Sequence, residues 1–418
     1  MMKKTLLAAL TLSAASGLAH ADGEVSVYGI LDVGIVGLTH AGNFSPNFVT
    51  SAVPIGAQPA KIGTAVGMMT GGQSQTRLGF KGSEDLGDGN KAFFQLESAF
   101  NLGSGNLATS GLAGAAGTQN MVADTSLNGQ LFNRMALLGL SRDGVGAVSF
   151  GRQNSLQLNI IGSGYDPVNA QMFSPINFSG SYGGGGATDN SRVDNAVKYA
   201  GKFGSVNVNA LYGFGGVPSN MAARGNAQLN VGYEADSFGI QAAMQNTKDT
   251  TSIAANAAPD TVTATFENLT SYMLAGRWQV IDPLTLKAGY EKMQISAPGN
   301  PTGDAAMTQI YNYQLTGATM FSGPEKNINV YWLGGNYQFT PAIKASLGFY
   351  DAKTPAYGAT TVDLDDKYYS AFVEYNFSKN TNAYAGVMMD KKSSTGATYA
   401  PPIPDTFTTY GVGLRHMF

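Results

Sequence analysis

The chain has no cysteine among its 418 residues and only three histidines. The missing cysteines exclude disulfide scaffolds, thiolate metal sites and cysteine nucleophiles. His40 falls in a predicted loop and His416 on the outer face of the last predicted strand, so neither is placed for acid–base catalysis or zinc binding. We therefore expect no enzyme activity, no metal site and no cofactor.

Charge and long apolar runs are also scarce. Charged residues make up 13% of the chain, against a usual share of about 25%, so part of the surface is predicted to face something other than water. Beyond the N-terminal segment, no stretch approaches the roughly 18 apolar residues that a membrane-spanning helix needs. The chain is instead rich in glycine (54), tyrosine (20) and phenylalanine (21), with two tryptophans, which is typical of a large β protein.

The segment Met1 to Ala21 has the pattern of a secretory signal peptide. Lys3 and Lys4 precede an apolar run, and Ala19 and Ala21 form an A-x-A cleavage site. An N-terminal anchor is the weaker alternative, because the run is short and contains serine and glycine. Removal of 1–21 leaves 23 basic and 28 acidic residues, and this acidic balance argues against nucleic-acid binding.

Period-two alternation of apolar and polar residues predicts β-strands along the rest of the chain. In 24–38, Val25, Val27 and Ile35 share one face and Tyr28 and Asp32 the other. Sixteen strands are predicted, at 24–38, 76–82, 91–100, 132–141, 145–153, 192–202, 205–214, 225–235, 238–247, 267–280, 284–296, 327–339, 342–352, 367–377, 381–391 and 406–418.

Short connections alternate with long ones between these strands. Short turns such as 142–144 and 282–283 contrast with long loops such as 39–75, 154–191 and 297–326. This pattern predicts an antiparallel transmembrane β-barrel, whose short turns lie at one end and long loops at the other. Closure into a barrel pairs the edge strands that lipid would not tolerate unpaired.

Five motifs carry a resemblance to a known family. They are VSVYGILDVG from Val25, TRLGFKGSEDLGDGNKAFFQLE from Thr76, NRMALLGLSRDGVGAVSFGRQ from Asn133, RVDNAVKYAGKFG from Arg192 and YGVGLRHMF from Tyr410. Together they resemble the general porins of Gram-negative outer membranes, in the β-proteobacterial branch typified by Neisseria and Burkholderia.

The resemblance implies a fold and a function. The mature chain, 22–418, would form a sixteen-stranded barrel in the outer membrane, usually a homotrimer, that lets small hydrophilic solutes and ions diffuse passively. The third long loop, 154–191, would fold into the pore as a constriction. Lipid, lipopolysaccharide and the barrel assembly machinery are the expected partners, and the alternating C-terminal residues match the family's assembly signal: Tyr410, Val412, Leu414 and Phe418.

The resemblance also directs attention to charged residues near the constriction. Family members commonly place acids on the third loop opposite basic residues on the wall. Asp166 and Asp189 are the only charged residues within this loop, and the predicted basic wall consists of Arg77, Lys81, Arg134, Arg152, Arg192 and Lys198. Asp32 and Glu97 also face inward and are candidates to pair with that wall. Because basic rings favour anions, we expect a modest anion preference.

Two alternatives to a general channel remain open. A substrate-specific channel would use an aromatic track, for which Tyr28, Phe93, Tyr165 and Tyr182 are candidates. A surface adhesin or receptor would act through the long loops instead.

Two surface features also carry alternative interpretations. The acidic group Asp363, Asp365 and Asp366 would bind a divalent cation or form a solvated loop tip. Aromatic residues near the short turns, such as Phe339, Tyr375, Phe377 and Phe418, are predicted to form a girdle at the membrane interface.

Overall fold

The computed structural model describes residues 23–41, 63–108, 131–176, 191–253, 262–300, 306–310, 313–319, 324–355, 363–394 and 406–418. The predicted signal segment and the predicted pore residues Asp189 and Tyr182 lie outside this described part. No helix within it is long and apolar enough to cross a membrane.

The described strands of the first half are β1 (Glu24–Ala41), β2 (Gly63–Thr70), β3 (Arg77–Gly87), β4 (Asn90–Ala99), β5 (Met135–Arg142), β6 (Gly146–Asn154), β7 (Arg192–Phe203), β8 (Val206–Gly213) and β9 (Asn226–Glu234). Those of the second half are β10 (Phe238–Ile253), β11 (Val262–Ile281), β12 (Leu284–Ser296), β13 (Ala306–Ile310), β14 (Tyr313–Thr319), β15 (Lys326–Gln338), β16 (Ile343–Thr354), β17 (Leu364–Asn376), β18 (Thr381–Ser394) and β19 (Thr406–Met417).

The main sheet closes on itself as an antiparallel barrel. β1 pairs with β19 along one edge, from Ile30 opposite Met417 to Leu38 opposite Thr409. Its other edge pairs with β3 near its start and with β2 near its end, so that β2 and β3 occupy one position in the sheet. The 17 strands of the sheet therefore fill sixteen positions, while β13 and β14 form a separate hairpin.

The barrel wall is apolar outside and polar inside. On β9, Leu229 and Val231 are exposed on the outer face, whereas the alternate residues Asn226, Gln228 and Asn230 are polar and buried on the inner face. A soluble protein would show the opposite arrangement, because exposing large apolar side chains to water is unfavourable. This alternation is that of a transmembrane barrel, with lipid outside and polar groups in the lumen.

The third long loop enters the barrel directly after β6. It begins with the short helix α1 (Leu156–Ile160), capped by the Ser155 hydroxyl, which accepts a hydrogen bond from the Leu158 N–H. A π-helical turn (Ile161–Tyr165) and a 3₁₀ turn (Gln171–Phe173) follow. The Gly164 backbone lies at φ 105°, a left-handed conformation that glycine adopts without a Cβ clash.

Apolar side chains pack this loop against the inside of the wall at three places. Leu156 contacts Val193 and Leu211 near β7 and β8. Further groups pack Ile160, Ile161 and Tyr165 against wall residues from β10 to β18, and Val168, Met172 and Phe173 against residues of β1, β2, β17 and β18. The buried core of this protein therefore lies between loop and wall, inside the barrel.

All sixteen predicted strands are confirmed. The prediction missed β2 inside its long loop 39–75, and it missed the β13–β14 hairpin inside its long loop 297–326. β2 was missed because apolar residues lie on both of its faces, with Val66 and Met68 exposed and Met69 buried, so its alternation of apolar and polar residues is weak.

Candidate functional site

A polar cavity of about 680 Å³ lies inside the barrel, between the third loop and the wall. Six of its lining side chains are cationic, namely Arg77, Arg134, Arg192, Lys287, Lys344 and Arg415. Two are carboxylates, Glu97 and Glu374. The loop contributes only uncharged lining residues, including Leu158, Asn159, Ser163 and Asn169. Among the described residues, the cavity therefore combines a predominantly basic wall with uncharged lining residues from the loop.

Glu97 on β4 is the centre of one charged cluster. Its Oε1 lies 2.5 Å from the Arg134 Nε, and its Oε2 lies 3.6 Å from the Arg77 Nε. The Tyr28 hydroxyl donates to the same Oε2 over 2.9 Å. One carboxylate thus neutralises part of the charge of two arginines, because opposite charges at these distances attract strongly away from bulk water.

Arg152 reaches the inner face through a β-bulge. The pairing of β6 with β7 shifts register between Gly151 and Gln153, and Gly151 adopts φ 117°. The bulge buries both Arg152 and Gln153, although the period-two pattern would turn Arg152 outward. Arg152 forms an ion pair of 2.5 Å with Asp194 and donates to the Asn133 carbonyl, and it is not among the cavity-lining residues.

Arg192 lies at the first position of β7 and lines the cavity while only 5% exposed. Its described hydrogen bond is a long one of 3.5 Å from Nη1 to the Ser191 hydroxyl. The buried Nε has no hydrogen-bond partner among the described residues. The Arg192 guanidinium thus contributes positive charge beside the cavity, and this charge attracts anions through its electrostatic field.

Three further cations on the cavity wall were missed from the sequence. Lys287 on β12 donates to the Asp166 carbonyl over 2.9 Å, Lys344 on β16 pairs with Glu374 on β17, and Arg415 on β19 donates to the Ser74 hydroxyl over 3.0 Å. Each alternates with residues of the outer face, so the period-two pattern could have found them. The predicted basic wall contains only residues of the second to sixth predicted strands, whereas these three cations lie on later strands.

Asp166 lies on the third loop but does not line the cavity. It is completely buried, and its Oδ1 accepts a hydrogen bond of 2.6 Å from the Tyr350 hydroxyl. Burial raises the pKa of this carboxyl, an effect that the Tyr350 hydrogen bond opposes. The structure thus places Asp166 as an anchor of the loop on the wall, because its carboxyl is buried against Tyr350 and is not exposed in the cavity.

Asp32, Lys81 and Lys198 do not line the cavity either. Asp32 is fully buried beneath the segment that joins β2 to β3. Lys81 stacks over the Tyr28 ring, with its Nζ 5.3 Å from the centroid, and Lys198 pairs in register with Ser149. The structure therefore brings Arg77, Glu97, Arg134 and Arg192 together at one cavity and places the other predicted site residues elsewhere.

The described aromatic candidates do not form a track along the cavity. Tyr165 is 1% exposed, and its hydroxyl donates to Glu234. The Tyr28 hydroxyl is engaged by Glu97 and by Gln95, whose Nε2 donates to it over 2.6 Å. Tyr28, Phe93 and Tyr165 are all absent from the residues that line the cavity.

The acidic group near the start of β17 contains a described ion pair, in which the Lys367 Nζ lies 3.1 Å from the Asp365 Oδ2. Within the described residues, no group of three potential ligands is arranged to hold a metal ion. Divalent-cation binding by this acidic group therefore stays a prediction from the sequence alone.

A closed barrel of sixteen strand positions, with a loop folded inside against a basic wall, defines the class of Gram-negative porins. Comparison with protein-family models agrees with this geometry: the model for Gram-negative porins matches residues 7–395. The chain belongs to that family.

Individual relatives are similar to parts of the chain or to its fold. An outer membrane porin protein of Bordetella pertussis is 37% identical over 199 residues, which is 47% of this chain and 44% of that protein. The matched region spans about half the length of such curated relatives. The solved anion-selective porin from Comamonas acidovorans superimposes with a TM-score of 0.63 at 18% identity, covering 95% of this chain and 100% of that one. The trimer form of OmpT from Vibrio cholerae has a TM-score of 0.58 at 16% identity, covering 95% and 99%.

Proposed function

We propose that this protein is an outer-membrane channel through which small hydrophilic solutes diffuse passively, with a preference for anions. The observation that carries the proposal is the cavity lining, in which the described residues include six cationic side chains and two carboxylates on the wall and only uncharged residues from the loop. Passive diffusion requires only a wetted passage, so no catalytic group or cofactor is assigned.

The preference follows from cations that have no carboxylate partner within the described part of the chain. Glu97 and Glu374 pair with Arg77, Arg134 and Lys344. No described ion pair involves Arg192, Lys287 or Arg415. Because low-dielectric walls focus the field of charges along a narrow passage, these three side chains raise the local concentration of anions.

Similarity to the Comamonas porin supports this direction, since that protein is called anion-selective. We also propose export through the predicted signal segment 1–21, insertion by the barrel assembly machinery, and contact with lipid and lipopolysaccharide of the outer membrane. The C-terminal residues Tyr410, Val412, Leu414 and Phe418 are exposed in alternation, which suits their proposed role as the assembly signal.

The test is the reversal potential of purified protein in planar bilayers under a potassium chloride gradient. We expect a reversal potential whose sign shows that chloride permeates more readily than potassium. The triple variant Arg192→Gln, Lys287→Gln and Arg415→Gln should move the potential toward cation selectivity. Arg142→Gln is the matched control, because Arg142 is exposed at the short turn after β5. A cation-selective wild type would refute the anion preference, and absence of conductance would refute the channel.

We further propose that the protein is a homotrimer whose contact surface is the outer face of β1–β6, called here the first arc. The eight most exposed tyrosine and tryptophan side chains of the described strands all lie on β9–β19, the second arc: Tyr233, Tyr272, Trp278, Tyr331, Tyr337, Tyr369, Tyr375 and Tyr410. The first arc exposes Val27, Ile35, Leu78, Leu138 and other apolar residues, without tyrosine or tryptophan.

This difference indicates what covers each arc. Tyrosine and tryptophan concentrate where a barrel surface meets lipid headgroups. An apolar surface that lacks such a girdle suits contact with protein, and a second copy supplies an equally apolar surface. The trimer form of OmpT has the same overall fold, which supports three copies.

A further inference from the structure

The irregular segment between β2 and β3, residues 71–76, is called here the strap. It interrupts the strand position that β2 and β3 share, and the Gly71 N–H donates to the Asp32 carbonyl over 2.9 Å. Its residues Gln73, Ser74 and Gln75 line the cavity. The strap therefore lies inside the barrel, beside the third loop.

The Asp32 carboxylate on β1 holds the strap. Its oxygens accept backbone N–H groups of Gly72 at 3.2 Å, Gln73 at 2.9 Å and Ser74 at 2.7 Å. The Tyr384 hydroxyl on β18 donates to the same carboxylate over 2.5 Å. Four donors converge on one buried carboxylate, and such charge-assisted hydrogen bonds are stronger than neutral ones.

Tyr384 also constrains the strap sterically. A Cβ on Gly72 would collide with the Tyr384 hydroxyl and with the Met69 side chain. A larger residue at position 72 would therefore displace the Tyr384 hydroxyl, the Met69 side chain or the strap itself.

The strap in turn holds the third loop. The Gly72 carbonyl accepts the Met172 N–H over 2.9 Å, and the Gln73 carbonyl accepts the Gln171 N–H over 3.1 Å. Met172 and Phe173 complete the contact by packing with Met69, Phe372 and Tyr384. Asp32 is thus connected through the strap to the far end of the described loop.

The strap also orients two cations of the cavity. The Ser74 hydroxyl accepts a hydrogen bond from Arg415 over 3.0 Å, and the Gln75 Oε1 accepts one from Arg134 over 2.7 Å. A shift of the strap would therefore change both the shape and the charge distribution of the cavity wall.

We infer that Asp32 is a positioning residue of the channel: it holds the strap, and through the strap it keeps the third loop against the wall and Arg134 and Arg415 directed at the cavity. This inference rests on the proposed channel function. It assigns to a buried acid on the first strand a role in pore shape and ion preference, exerted without contact between that acid and the solute.

Asp32→Asn is the main test. An amide supplies fewer acceptor sites and presents its own N–H donors to the strap's N–H groups, so part of the hydrogen bonding is lost. We expect current levels that fluctuate more than in the wild type and a reversal potential shifted away from anion selectivity. Asp88→Asn is the matched control, since it makes the same chemical change at an exposed turn.

Thiol labelling reports on the loop directly, because the chain has no native cysteine. Met172→Cys places one buried thiol beneath the strap, and Ser163→Cys places one exposed thiol on the cavity side of the loop. Asp32→Asn should accelerate labelling at position 172 by about tenfold, corresponding to about 1.4 kcal/mol in the opening equilibrium, and should leave position 163 unchanged.

Tyr384→Phe is the second variant and removes a single donor from the Asp32 carboxylate while keeping the ring. Tyr384→Phe should change the labelling rate at position 172 and the current in the same direction as Asp32→Asn, but by a smaller amount. If Asp32→Asn does not fold, Tyr384→Phe alone tests the inference. Unchanged labelling and current in folded Asp32→Asn, or in Tyr384→Phe when only that variant folds, would overturn the inference. Absence of conductance in the wild type would refute the proposed channel function. The labelling experiment would still test separately whether Asp32 holds the third loop in place.

Discussion

The first and second arcs of the barrel have the same strand architecture but different outer surfaces. Both present alternate apolar side chains, such as Leu138 on β5 and Val231 on β9. Only the second arc adds exposed tyrosine and tryptophan, for example Trp278 and Tyr375. Under the proposed trimer, the difference teaches that an apolar surface without exposed tyrosine or tryptophan is suited to a second copy, whereas exposed tyrosine and tryptophan suit contact with lipid headgroups.

The inner surfaces of the two arcs differ as well. The first arc contributes Arg77 and Glu97, linked by an ion pair, together with Asp32 beneath the strap. The second arc contributes Lys287, Lys344 and Arg415 across the cavity. The wall is therefore basic on both sides. One carboxylate, Glu97, pairs with Arg77 and Arg134 on the first side, and one, Glu374, pairs with Lys344 on the second.

The largest expected effect is that of a charge placed on the outer face of the first arc. Leu138→Arg would bury an unpaired cation between copies, and an uncompensated buried charge costs about 3–5 kcal/mol. We expect the trimer to dissociate in unheated detergent gels and in native mass spectrometry. Val231→Arg, on the second arc, should weaken membrane insertion by about 2–4 kcal/mol at most and retain the trimer. Equal loss of trimer in both variants would contradict the assignment of the arcs.

An intermediate effect is expected from the inner face of the first arc. Glu97→Gln removes the carboxylate that neutralises Arg77 and Arg134, so the cavity becomes more basic. The reversal potential should shift further toward anion selectivity. Glu84→Gln at the exposed end of β3 is the control, and a shift toward cations in Glu97→Gln would contradict the proposed field.

The smallest effect is expected from substitution of an exposed tyrosine in the proposed aromatic girdle of the second arc. Tyr375 packs edge-on against Phe377, with centroids 5.1 Å apart, and Tyr375→Ala removes both this contact and an interfacial anchor. The free energy of unfolding from lipid vesicles should fall by about 1 kcal/mol beyond the loss of apolar area. Leu140→Ala, near a short turn of the first arc, has no aromatic contact of this kind and serves as the comparison. Equal losses after correction for area would argue against a girdle.

The two-residue alternation of side chains predicts many, but not all, features of the strands correctly. Strands such as 24–38 and 91–100 were placed correctly because side chains alternate between lipid and lumen every second residue. The same alternation correctly turned Glu97 inward. Strict alternation would turn Arg152 outward, whereas the bulge at Gly151 buries that side chain. The period also did not reveal β2, because apolar residues lie on both of its faces.

The composition and the two-residue period by themselves determined a lipid-facing barrel, because every second residue must suit one of two solvents. Which side chains meet in the lumen was decided only by the tertiary structure. Asp32 and Tyr384 are 352 positions apart in the chain, and Asp166 and Tyr350 are 184 apart. Barrel closure and the fold of the third loop bring these pairs together, and no local pattern encodes contacts over such separations.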